Sequence, residues 1–189
     1  MPFRLRAPYD RRGFGIGCTT GCPPDGSVLQ APESRLFAFR SEFQEAVLEL
    51  LARTRHGLAL ADHDFSDWPL ETPGAFAELS RLLRGPDARL RLVVHSPDWL
   101  DRHATRFALL RRTYGARIEC RQAPATLPPG EALMVGDRIH LLRRAHYQAF
   151  RGRLMLAMPE AVEPWLRKYE QLWQESAPCL TGTTTGLAG

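Results

Sequence analysis

Two clusters of side chains in this chain have the types and spacing for chemistry. Asp62, His63 and Asp64 follow the apolar run "GLAL", and His95 with Ser96 follows "RLRLVV". Imidazoles and carboxylates at the ends of strands can pass a proton or hold a divalent metal. Strand alternation limits that use, because Asp62 and Asp64 share a side while His63 faces away for as long as the strand persists. Loop carboxylates also cap helices and pair with arginine. The second cluster is Arg143, Arg144, Arg151 and Arg153, which bracket His146 and Tyr147. A guanidinium fork pairs two phosphate oxygens at once, and an adjacent aromatic ring offers a base something to stack on. The same run also reads as a solvated loop.

A third feature is the stretch "GEALMVGDRIHLLRR", residues 130–144, which reads as a strand, a tight turn and a second strand. Its one acid at the turn, Asp137, is expected to be a turn residue, since Asp tolerates unusual dihedrals and bonds the local backbone. The alternative is a place in a pocket at the strand ends with Asp62, His63, Asp64, His95 and Ser96. Cys18 and Cys22 in "GCTTGCPPDG" offer two thiolates, yet no second Cys/His pair of suitable spacing follows, so no metal is expected. Cys120 sits in an alternating run with no histidine beside it and is expected to be a small core residue.

These groups need elements to hold them. Ser41 and Gln44 form a capping-box pattern before Phe43, Ala46, Val47, Leu50 and Leu51, which recur at helical spacing and predict a helix over 41–55. Strands are expected at "GLALADH", "ARLRLVVH" and "ARIECRQ", alternating with a helix that ends at Gly85 and one that Ser96 caps and Gly115 ends. The hairpin and the strand "RLMLAM" come next. Val162, Trp165, Leu166, Tyr169, Leu172 and Trp173 then mark the buried stripe of a last helix. Such alternation predicts an α/β fold with a mixed, mostly parallel sheet sandwiched by helices. Residues 1–34, rich in Pro and Gly, read as a flexible arm, 35–177 as the folded domain, and 178–189 as a disordered tail.

The order of "FRSEFQEAVLELLARTRHGLALADHDF", "LSRLLRGPDARLRLVVHSPDWLDRH", "GARIECR", "ALMVGDRIHLLRRAHY" and "KYEQLWQESAP" resembles one half of a phospholipase D superfamily enzyme, over about Phe37 to Ser176. The resemblance implies an HxKxxxxD motif with its aspartate at the hairpin turn, a histidine nucleophile that becomes phosphohistidine, and a lysine holding the phosphate. With Asp137 on that aspartate, Gly130 stands at the histidine position and Ala132 at the lysine position. Lys168 is the sole lysine and Leu166 lies two residues before it, so HxK occurs nowhere in the chain. Hydrolysis by that route is therefore not expected. The resemblance also implies a homodimer of half-domains.

Composition agrees with a single core: 189 residues, 44% of them apolar. Basic residues number 25 against 21 acidic, a net charge of +4 carried by arginine. That balance permits a phosphate ligand or single-stranded nucleic acid without demanding one. No secretory segment and no apolar run of about 18 residues occurs, so a cytoplasmic protein without a membrane span or cofactor is expected. The leading expectation is a non-catalytic phospholipase D-like domain in a binding, scaffold or regulatory role. The alternatives are a phosphate or nucleic-acid module built on the arginines and an unrelated enzyme using Asp62, His63, Asp64 and His95.

Overall fold

A computed structural model describes residues 31–127 and 130–180. Cys18, Cys22, most of the expected arm and the last nine residues lie outside them. The described chain runs β1 (Glu33–Phe37), α1 (Arg40–Arg53), β2 (Gly57–Asp62), α2 (Pro73–Arg84), β3 (Arg89–Val94), α3 (Asp98–Arg102), α4 (Thr105–Tyr114), β4 (Ile118–Gln122), β5 (Ala132–Gly136), β6 (His140–Arg144), β7 (Gly152–Leu156), α5 (Pro159–Glu175) and β8 (Ala177–Pro178).

The eight strands form one sheet in the order β1-β7-β6-β5-β2-β3-β4-β8. Only the β2–β3 and β3–β4 pairs are parallel. The pairs β1–β7, β7–β6, β6–β5, β5–β2 and β4–β8 are antiparallel, which corrects the expectation of a mostly parallel sheet. The βα alternation does set β2, β3 and β4 parallel. The later hairpin then inserts beside β2 rather than beyond β4, and β1 adds to β7 at the far edge.

Strand alternation sorts the core into two layers. Leu58, Leu60, Leu90, Leu92, Ala132, Met134, Leu142 and Leu154 point to the side covered by α1, α2 and α4. Ala59, Ala61, Val93, Leu133, Val135, Leu141 and Met155 point to α5, whose Val162, Leu166, Tyr169 and Trp173 close that face. Burial of these apolar surfaces, at roughly 25 cal/mol per Å2, is the main stabilising term.

The helix ends depart from the expected ones more than the apolar period does. The α1 cap is Glu42, whose carboxylate accepts the backbone N–H of Ala38 (2.8 Å) and Phe39 (3.2 Å), not the Ser41–Gln44 pair. The single helix expected from Ser96 to Tyr114 is two, broken at His103 and Ala104. Glu71, from the loop ahead of α2, caps the second of them by accepting from Thr105 Oγ1, Arg106 N and Phe107 N at 2.9–3.0 Å. No spacing rule links Glu71 to a helix that starts 34 residues later.

Candidate functional site

Asp137 and the other acids occupy opposite ends of the sheet. Its carboxylate accepts three backbone N–H groups, from Arg55 (2.7 Å), His56 (2.8 Å) and Gly57 (2.9 Å), and its own N–H donates to Gly57 O at 2.8 Å. Asp137 (φ 50°) and Arg138 (φ 63°) both take left-handed backbone. The turn is thereby clasped to the start of β2. Asp62 and His63 lie at the other end of that strand, about 17 Å away at 3.3 Å per residue, so Asp137 does not join them.

At the carboxyl ends of β2 and β3, Asp62 is buried. It accepts the Trp68 indole N–H at 2.8 Å and the Phe65 N–H at 3.3 Å, and it faces Arg144 Nη2 at 3.4 Å. Burial pushes its carboxyl above the usual carboxylate range, while the Arg144 guanidinium and the Trp68 bond pull it back. Arg144 also meets Asp67 at 3.3 Å, lies over the Phe43 ring at 4.5 Å, and is 0% exposed. Its Nε is buried with no hydrogen-bond partner.

The register explains how an arginine fits inside. Ala132 pairs with Arg144 on one side, and Gly152 pairs with it on the other. Both neighbours are small, so the stem has room to lie across the sheet beneath α1. A side chain at Gly152 would run into the Arg143 carbonyl and the Phe37 ring. Ala132, where the resemblance places a lysine, thus sits beside a buried arginine already committed to Asp62. Gly130, at the histidine position, lines a cleft of ≈ 240 Å3 together with Asp62, His95 and Lys168. Lys168 itself is held by Glu131 at 2.8 Å.

His63 and His95 do come together. Their rings are stacked at 6.2 Å, Tyr147 packs on His63 at 4.5 Å, and His146 stacks on Tyr147 at 4.7 Å. The His63 carbonyl accepts from His95 N (3.0 Å) and Ser96 N (2.9 Å), tying the two strand ends. His63, His95 and Ser96 line a cleft of ≈ 610 Å3. Burial, then the neighbouring His63, lowers His95 below the usual imidazole range. Asp64 does not line that cleft, and its Oδ1 accepts Ser66 N (2.9 Å) and Ser66 Oγ (2.8 Å). Among the described residues no group of three or more His, Cys, Asp or Glu side chains is placed to hold a metal ion.

The expected arginine cluster divides. Arg144 is inside on the α1 face, and His146 belongs to the ring stack. Arg143, Arg151 and Arg153 share a cleft of ≈ 450 Å3 on the α5 face with Trp165 and Leu36. Arg143 and Arg153 stand directly opposite on β6 and β7. Arg143 lies over Trp165 at 4.1 Å and reaches Glu131 at 3.4 Å. Neither Arg151 nor Arg153 has a carboxylate within 4.0 Å among the described residues. The contribution of Trp165 was legible in sequence only as part of the core stripe.

No helix among the described residues is long and apolar enough to cross a membrane. No curated protein matches the sequence. Solved structures share the fold at low identity. TrmBL2, an archaeal chromatin protein described as showing a novel mode of DNA binding, matches with TM-score 0.58 and 13% identity over 77% of this chain, which spans 54% of that one. Nuc of Salmonella typhimurium, a phospholipase D family member, matches with TM-score 0.55 and 12% identity over 80% of this chain and 100% of its own. NucT of Helicobacter pylori gives 0.57 and 12% over 79% and 100%. The fold is thus that of phospholipase D-like proteins. A family model matches residues 40–181, and the chain belongs to that family, described as a domain of unknown function, DUF7931.

Proposed function

We propose that this chain is a non-catalytic phospholipase D-like domain that acts by binding. The observation that carries the reading is the filled row beside Ala132. There the Arg144 guanidinium lies inside the protein against Asp62 and Phe43, so the cation paired across the strands from the lysine position is spent on an internal partner. Together with the missing HxK sequence, this leaves neither a nucleophilic imidazole nor a phosphate-holding ammonium at the positions the resemblance assigns. Purified protein incubated with bis-p-nitrophenyl phosphate and with single-stranded DNA is expected to release no product above the heat-denatured sample. Turnover accompanied by an acid-labile phosphohistidine would overturn the reading.

A second, finer reading concerns what is bound. Two like charges directly opposite across a strand pair repel, and Arg143 and Arg153 are held in that arrangement with Glu131 the one carboxylate within 4.0 Å of either among the described residues. A phosphate ligand between them would relieve the repulsion, and Trp165 would flank it. The similarity to an archaeal chromatin protein leans the same way, toward nucleic acid. Fluorescence anisotropy with a labelled single-stranded oligonucleotide should show binding that weakens as salt rises, with the double variant Arg151→Ala, Arg153→Ala lowering the salt slope by roughly 1 to 2. Binding that is unchanged in that variant would remove these arginines from the interface.

A further inference from the structure

Cys120 and Cys179 are separated by 59 positions in the sequence, and their Sγ atoms lie 3.2 Å apart. Both are free thiols. The register that pairs Arg121 with Pro178 and Gln122 with Ala177 brings Cys120 opposite Cys179, and Cys179 N donates to Cys120 O at 2.9 Å. Directly opposed residues of an antiparallel pair have Cα atoms about 4.5–5.5 Å apart, inside the span of about 4.4–6.8 Å that a disulfide needs. Backbone movement is therefore not required to join them.

The surroundings select the reagent. Cys120 and Cys179 line a cleft of ≈ 550 Å3 together with Arg111, Arg112 and Arg121. Cys120 is buried, whereas Cys179 is partly exposed. Arg111 and Arg112 close α4 and have no carboxylate within salt-bridge distance among the described residues. The hydrogen bond shared by the two thiols, and then Arg111, hold the Cys179 thiol below the usual range, while that same bond and burial push Cys120 up. Cys179 is thus the attacking thiolate and Cys120 the resolving thiol.

The geometry points to a dithiol site at Cys120 and Cys179 that is oxidised by a negatively charged low-molecular-weight disulfide docked on Arg111 and Arg112. The Cys179 thiolate attacks one sulfur of the reagent. A protein–reagent S–S bond forms, the reagent's own S–S bond breaks, and one thiolate leaves. Cys120 then gives up its proton and attacks Sγ of Cys179, displacing the second reagent thiolate. One protein disulfide and two reagent thiols result, so electrons balance.

The bond would act on a weak element. Strand β8 has two residues and two paired positions on β4. Ala177 and Glu175 also line the cleft of His63 and His95, so the bond would fix one rim of that cleft.

The test uses the full chain with oxidised glutathione, which is anionic, and cystamine, which is cationic, followed by peptide mapping without reduction. The expected product is a dithiothreitol-reversible cross-link between the peptides bearing Cys120 and Cys179, with Tm higher by about 5 °C or more. Cys120→Ser should instead stop at a glutathione adduct on Cys179. Arg111→Ala with Arg112→Ala should lower the glutathione rate relative to the cystamine rate about tenfold, a ratio that cancels the loss of Arg111 beside the Cys179 thiol. Modification confined to Cys18 and Cys22, or cross-linking of Cys179 to either, would overturn the site. A ratio of the glutathione rate to the cystamine rate that is the same in the parent and in the arginine variant would overturn its preference for an anion.

Discussion

Arg144→Met is expected to lower the unfolding free energy by about 3–5 kcal/mol at neutral pH, because it leaves the Asp62 carboxylate buried without its cation. Asp62 keeps the Trp68 and Phe65 donors, which are too few to replace a guanidinium that lies 0% exposed beside it. The partner change, Asp62→Asn, leaves Arg144 with Asp67 alone and should cost a similar amount. Joined in one chain, the two substitutions remove both charges while Asn still accepts from Trp68. The double variant should then lie within about 2 kcal/mol of the parent, a strong positive coupling. Urea denaturation of the four proteins reads this cycle directly. Additive losses would mean that the two groups do not compensate each other.

The pH dependence of that deficit has a defined sign. Burial already raises Asp62, with Arg144 the main opposing influence, so removing Arg144 raises it further. A carboxyl raised in the folded state contributes stability that is fully present below its unfolded value, about 3.9, and lost as pH rises through the folded value. The Arg144→Met deficit should therefore be largest in neutral and alkaline buffer and shrink on acidification, where Asp62 takes up a proton and no longer needs a cation. A deficit independent of pH would point to lost packing against Phe43 instead.

Asp137→Ala is expected to cost about 3 kcal/mol. Three backbone donors at 2.7–2.9 Å lose a charged acceptor, and alanine must enter left-handed backbone at φ 50°. Asp137→Gly separates the two contributions, since glycine takes that backbone freely. It should recover about 1 kcal/mol of the loss and leave the remainder, which belongs to the clasp on Arg55, His56 and Gly57. Chemical denaturation of both variants gives the comparison. If Asp137→Ala were as stable as the parent while oligonucleotide binding fell, Asp137 would belong to a binding surface and the sheet-end separation of about 17 Å would be irrelevant.

Much of the scaffold was legible because its signals are local. The stripe from Val162 to Trp173 repeats every three or four residues and predicts α5 without knowledge of its neighbours. Gly57, Gly85 and Gly115 punctuate the βα units. Asp137 could be read as a turn residue from its place between two apolar runs. Its hold on Arg55, His56 and Gly57, some 80 positions away, could not. The misplaced α1 cap has the same origin, since Phe39 at the N-cap carries no side-chain acceptor and only the backbone path brings the Ala38 and Phe39 N–H groups to Glu42.

By itself the sequence determined one chemical fact that no folding can alter: no histidine stands two residues before a lysine. It also determined which segments bury a face and with what period, since periodicity is a property of adjacent residues. Tertiary structure alone decided that the hairpin docks beside β2, which makes the sheet mostly antiparallel, and which of two adjacent arginines takes the inner face. Arg144 goes inward to Asp62, and Arg143 goes outward to Trp165. It alone brought Cys120 against Cys179. The physical reason is that pairings between distant segments are set by which apolar faces pack best in the whole molecule, a competition in which nearby residues carry no record of the winner.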